Sequence, residues 1–196
     1  PNLIIIPPRF SKYKEASARI YQIFSEYSSI VEPVSVDEAY LDVSDTSPYK
    51  TATLLAKALR EHIFRETGLT ASAGIAPNPF LAKVASDWRK PNGQFTITPE
   101  MVDDFVKKLP VRKVPGVGRV TEEKLKSMSC LTCGDLRALS FSKMNHLFGK
   151  WGQRLYRLSR GEDDRPIGVK RDRKSISVER TFSQDLFEVK ECLNLK

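Results

Sequence analysis

Asp37 and Glu38 are consecutive carboxylates inside a β-branched and aromatic run, Val34 to Val43. Such a run favours a strand that wants burial. An ionised carboxylate is costly to bury unless it is paired or holds a metal. Strict alternation sends Asp37 to the face of Ala39, Leu41 and Val43, and Glu38 to that of Tyr40 and Asp42. Both acids can serve one site only where the alternation breaks, at a turn. The reading is a hairpin over roughly 30–43 with the acids at its bend, an oxygen-donor pair suited to a hard cation such as Mg²⁺. Taken alone, an Asp-Glu pair is more often two solvated turn acids, so the rest of the chain has to decide.

A second candidate is Val114-Pro-Gly-Val-Gly-Arg119. Gly116 and Gly118 let the backbone turn tightly and approach a ligand. The helix expected over about 119–128 presents free amides and a positive dipole end at that loop, which suits a phosphate oxygen. The third glycine and preceding strand of a dinucleotide fingerprint are missing, and so is the Gly-Lys-Ser/Thr of a P-loop. The arrangement matches a helix–hairpin–helix, which grips a nucleic-acid backbone without reading sequence. Arg112, Lys113, Arg119, Lys124 and Lys126 surround it and favour phosphate over a plain αα-hairpin turn. Lys90, in Lys90-Pro-Asn-Gly93, follows a helix and precedes a turn. There it could meet a triphosphate as a point charge, although a lysine read alone is usually a solvated surface group.

The elements that must position these residues follow from periodicity. The apolar run at 2–6 reads as a buried strand. Ser11 reads as the cap of a helix over 12–27, with Ala16, Ile20, Phe24 and Tyr27 on one face. Ser47-Pro48 reads as a second helix start, and Gly68 as its stop. A strand over 70–75, a helix over 77–89 and a strand over 95–97 complete an α+β layer, a mixed sheet with helices on one face. Thr98-Pro99 opens a helical region running to about Arg160. The stretch 161–173 reads as a linker, and the alternation from Ser175 to Phe182 as a further strand.

Charge divides along the same line. Between residues 105 and 180 there are 19 basic and 8 acidic residues, whereas the remainder carries 13 and 16, within a net charge of +8. A basic second half points to a polyanionic partner. The apolar runs fall short of the roughly 20 residues of a membrane span. Cys130 and Cys133 have CxxC spacing without a second pair or nearby histidines, too few ligands for zinc; with Cys192 they read as reduced cysteines, which fits the cytoplasm. The start at Pro1 and the uncapped end at Lys196 read as those of a fragment.

Six stretches in collinear order resemble the Y-family translesion DNA polymerases: Ser-Val-Asp-Glu-Ala-Tyr-Leu-Asp-Val (35–43), Ala-Ser-Ala-Gly-Ile-Ala-Pro-Asn (71–78), Leu-Ala-Lys-Val-Ala-Ser-Asp (81–87), Lys-Pro-Asn-Gly-Gln-Phe (90–95), Val-Pro-Gly-Val-Gly (114–118) and Lys-Ser-Ile-Ser-Val-Glu-Arg-Thr-Phe (174–182). The resemblance implies a ferredoxin-like palm over 1–98, a small helical thumb with a helix–hairpin–helix over 99–160, a linker over 161–173 and the start of a little-finger domain over 174–196. It implies that Asp37 binds two Mg²⁺ ions, and that Glu38 completes the site and helps activate the primer hydroxyl. Lys90 would touch the incoming deoxynucleoside triphosphate, and Gly116, Gly118, Arg119, Lys113 and Lys124 would hold primer–template DNA. The implied setting is the bacterial cytoplasm, with a sliding clamp engaged through the C-terminal region. The family's first palm strand, with its further metal-binding Asp, its steric gate and its fingers, has no counterpart ahead of Pro1. The two-metal clamp is therefore incomplete, and poor activity is expected. Two alternatives remain open: a non-catalytic DNA-binding palm and thumb, and a nucleotidyl cyclase-type palm, which would have no need of the basic helical hairpin.

Overall fold

The structure, a computed structural model, describes residues 3, 4, 6–169, 174–177, 179, 185 and 190. The first helix, α1 (Phe10–Tyr27), starts as the chain leaves Pro7-Pro8, with Arg9 at its N-cap and no side-chain cap. Ser11 therefore lies inside the helix. The buried face centres on Ile23, which packs with Leu59 and Ile63, flanked by Ile20, Phe24 and Tyr27. The described residues of the run at 2–6 do not form the expected buried strand. Leu3, Ile4 and Ile6 are exposed and outside any strand, because no described strand lies alongside them to pair with.

Strands β1 (Val31–Pro33) and β2 (Ala39–Leu41) form an antiparallel hairpin in the register Val31↔Leu41, Glu32↔Tyr40, Pro33↔Ala39. The turn thus falls at residues 34–38. Helix α2 (Ala52–Thr67) begins later than Ser47-Pro48. Its cap is Thr51, whose side chain accepts from the Leu54 amide, satisfying a donor that the first turn leaves free. Gly68 ends it in the left-handed region at φ 70°. Strand β3 (Ala73–Ile75), helix α3 (Pro79–Trp88) and strand β4 (Gln94–Thr96) form a β-α-β unit, with β3 and β4 parallel. Asn78 caps α3 by accepting from the Leu81 amide. Parallel and antiparallel pairing are both present as expected. Among the described residues, however, they form two separate two-stranded sheets rather than one ladder.

The second half is helical. A 3₁₀ turn at Pro99–Met101 leads into α4 (Val102–Lys108). A second, Val111–Lys113, precedes α5 (Arg119–Ser127), α6 (Cys133–Arg137) and α7 (Phe141–Leu158). α7 is broken at Gly149, whose φ of 58° and ψ of −140° are not helical. Cys130 and Cys133 are buried thiols, and burial pushes Cys133 up to about 12. One core joins the halves: Phe80, Leu81, Val84 and Ile97 pack with Val106, Leu109, Leu125, Met144 and Leu155.

The stretch after α7 is no free linker where it is described. The Asn78 amide donates to the Gly161 carbonyl, the Gly168 amide donates to Glu32, and Arg165 lies over the Tyr40 ring. The strand expected from Ser175 falls mostly outside the described residues; 174–177 carry no strand and Ile176 is exposed.

The packing of β3 under α3 depends on Gly74. A Cβ there would lie 2.0 Å from the Ala82 carbonyl oxygen and 2.3 Å from the Ser86 nitrogen, both backbone atoms that cannot move without shifting the helix. Gly74→Ala is expected to lower stability by ~3 kcal/mol, at the upper end of overpacking costs. A lower urea midpoint at unchanged m-value would register it.

Candidate active site and nucleic-acid interface

The acid turn is held from three sides. The Glu38 carbonyl accepts from the amides of Val34 (2.9 Å) and Ser35 (3.2 Å), which closes the loop. The Tyr21 hydroxyl, on α1, donates to the same carbonyl at 2.9 Å. Ser35 Oγ donates to the Asp37 carboxylate at 2.6 Å. Asp37 is exposed and Glu38 half-buried. Burial, and then the nearby Asp37 charge, push the Tyr21 hydroxyl upward in pKa, so that Asp37 and Tyr21 share one electrostatic neighbourhood.

Helix α3 supplies the positive side. The Lys83 ammonium donates to the Glu38 carboxylate across 45 residues of sequence. One turn on, Asp87 accepts from Lys90 at 2.7 Å. That hydrogen bond raises the Lys90 pKa, with further contributions from the charges of Glu38 and Asp37. It also holds the Asp87 carboxyl below its usual range, helped by the nearby Lys113 and Lys83 charges. The loop carrying Lys90 is clamped by Arg60. Its Nη2 reaches the Asn92 carbonyl (2.6 Å) and side-chain oxygen (2.7 Å), Nη1 reaches Gln94, and Nε reaches the Ala71 carbonyl.

Asp37 and Glu38 thus share one turn, and Lys90, paired with Asp87, lies near enough to feel the charge of both. The structure adds Lys83, Asp87, Tyr21 and Arg60, which sequence reasoning did not single out. One signal was available: 83 and 87 are four apart, on one face of the expected helix. As a cation site the acid pair fits by its chemistry. It offers hard oxygen donors at an open turn, and an ammonium already sits against one of them. Magnesium is commonly held by one or two carboxylates together with substrate phosphates and waters. Among the described residues no third acid, histidine or cysteine joins the pair.

The glycine loop turns as its sequence requires. Gly116 has φ 95°, and its α-carbon faces Trp151, whose ring edge lies 2.5 Å from where a Cβ would stand. Gly118 is the N-cap of α5 and gives no side-chain cap, so the first amides of α5 have no partner within the helix. A Cβ at Gly118 would meet open space. Lys113 and Arg119 are exposed, and Arg119 pairs loosely with Glu123 at 3.3 Å. Lys124 is committed elsewhere: its ammonium donates to the Leu147 carbonyl at 2.7 Å and lies 4.6 Å from the centre of the Phe148 ring. It ties α5 to the break in α7 instead of standing free for a ligand. The first arm of the hairpin is only the 3₁₀ turn at Val111–Lys113.

Residues 1–87 match the impB/mucB/samB family, and residues 112–163 match the thumb domain of DNA polymerase-iota. The chain is 54% identical over 193 residues to a DNA polymerase IV of Shewanella baltica, covering 98% of this chain and 54% of that protein. It is 54% identical over 194 residues to a DNA polymerase IV of Francisella tularensis subsp. novicida, covering 98% and 56%. The chain thus spans about half the length of the curated relatives it matches. Among solved structures it resembles DinB from Sulfolobus solfataricus, with a TM-score of 0.78 and 29% identity over 84% of this chain and 49% of that one. It also resembles a Y-family DNA polymerase chimera, with a TM-score of 0.80 and 29% identity over 86% and 50%. An acid turn facing a basic helix and a glycine hairpin beyond it thus stand in a chain that is similar, along nearly its whole sequence, to Y-family DNA polymerases.

Proposed function

We propose that this chain supplies the acid turn and the DNA-gripping thumb of a template-directed DNA polymerase, one that transfers deoxynucleotides to a primer during translesion synthesis. The observation that supports this most is the ion pair of Glu38 with Lys83 of α3, beside Lys90, which feels the charge of both acids from just past the helix. Asp37 and Glu38 would hold Mg²⁺, and the bound ion would neutralise charge on the triphosphate and the attacking oxygen. The chain's own residues do the rest. Tyr21 and the two loop amides keep the Glu38 backbone fixed. Lys90 would meet the triphosphate as a point charge once it leaves Asp87. The amides at Gly116 and Gly118, with Lys113 and Arg119, would hold phosphates of the primer–template duplex without reading bases. A bacterial cytoplasmic setting accords with this role, and no described helix is long and apolar enough to cross a membrane. The clamp contact implied by the resemblance would lie outside the described residues.

With two carboxylates in place of a full two-metal set, the purified chain is expected to bind primer–template DNA yet extend primers weakly or not at all. Robust extension that Asp37→Ala abolishes would contradict the incomplete site. Binding should weaken steeply with salt. Replacing Lys113 and Arg119 by Ala should reduce the log–log salt slope by about two, equally for all duplex sequences; a salt-independent affinity would exclude the thumb assignment.

The Asp87–Lys90 pair sets a pH window. The depressed Asp87 carboxyl contributes stability above its unfolded value and loses it as pH falls through the lower folded value. The raised Lys90 ammonium contributes below its unfolded value and loses it as pH climbs through the higher folded one. Side-chain NMR should give Asp87 a midpoint below the ordinary value of about 3.9, and Lys90→Met should move it back up.

A further inference from the structure

We propose that Lys83 is the positioning residue of Glu38, an internal counter-cation that holds the carboxylate at the acid turn and that an incoming divalent ion must displace. The inference rests on the reading of Asp37 and Glu38 as a cation site.

Most ion pairs between surface side chains mean little, because two long flexible chains must be ordered to form them. This pair is different at both ends. Lys83 projects from α3 between Phe80, Leu81, Val84 and Ala85, all buried, so its backbone is fixed by the core. Its own carbonyl is engaged by Ser86 Oγ at 2.8 Å. The Glu38 backbone is pinned by Tyr21 and by the amides of Val34 and Ser35. Each side chain is only about one third exposed, 34% for Lys83 and 38% for Glu38. The neighbouring cation, Lys90, is already taken by Asp87, and the neighbouring acid, Asp37, is engaged by Ser35. Within this cluster Lys83 is therefore the group that meets Glu38 directly. It serves two ends. It offsets the repulsion between consecutive carboxylates while no ion is bound, and it sets the orientation from which Glu38 turns towards one.

The test uses the whole chain and Mn²⁺ alone, followed by paramagnetic broadening of the Asp37 and Glu38 backbone amide resonances. Removing the competing ammonium in Lys83→Met is expected to tighten Mn²⁺ binding about fivefold, which corresponds to roughly 1 kcal/mol. Lys83→Arg, which keeps the cation, should stay near the unsubstituted chain. In a Glu38→Gln background, where the partner charge is gone, Lys83→Met should change nothing. That dependence separates positioning of Glu38 from a general effect on α3. Lys83→Gln provides a second neutral variant should the methionine disturb folding, which amide dispersion would reveal. Equal or weaker binding by the folded neutral variants overturns the proposal, as does an equal effect with Glu38→Gln. Absence of broadening at these amides in every variant would instead overturn the cation reading itself, and this inference with it.

Discussion

Two negative charges on consecutive residues repel each other, and a hairpin of two three-residue strands has little packing with which to hold them. The acid turn is therefore stable only because other elements restrain it. Tyr21 reaches its backbone from α1, and Lys83 reaches its side chain from α3. A third restraint acts on the flanking strands, where Glu32 accepts from the Gly168 amide and Arg165 lies over Tyr40. Elements from α1 to the segment after α7 thus converge on ten residues of chain. Exposed acids need no burial, but they do need fixed surroundings if they are to hold a cation in one place.

Helix α3 is the hinge of this arrangement in the architectural sense. Its buried face, with Phe80, Leu81 and Val84, is part of the same core as Val106, Leu109 and Leu155 of the helical half. Its opposite face carries Lys83 and Asp87, and Lys90 follows just past its end. Gly74 lets the backbone of β3 come directly under it. Any shift of the helical half would pass through this helix to the charges that face the acids. The Asp87 carboxyl, held low first by its hydrogen bond from Lys90, also feels the Lys113 charge just ahead of the glycine loop.

The glycine loop shows the same economy. Gly116 serves at once for a positive φ and for contact with Trp151. Lys124, a natural candidate for phosphate, is used to anchor the Leu147 carbonyl beside the break at Gly149. A helix break leaves carbonyls without amide partners, and a lysine one turn along α5 satisfies one of them. Charge counted along a sequence cannot distinguish a lysine that faces a ligand from one that mends a helix.

Local rules carried much of this protein. The clash between strand alternation and two adjacent acids put the bend on Asp37 and Glu38, and the register then set the turn at residues 34–38. Gly68 and Gly116 announced their left-handed backbone, and the 3.6-residue rhythm located the helices, because each depends on neighbours within a few positions. Caps were less legible. Ser11 and Ser47 have the chemistry of caps, yet the helices begin from Arg9 and Thr51. Tertiary structure alone decided that Lys83 meets Glu38, that Arg60 clamps Asn92, that Leu3, Ile4 and Ile6 stay exposed, and that the stretch after α7 straps back onto β1. These are contacts between residues tens of positions apart. Their energies depend on distances that the closing of the fold sets, and nothing in the local order of side chains contains them.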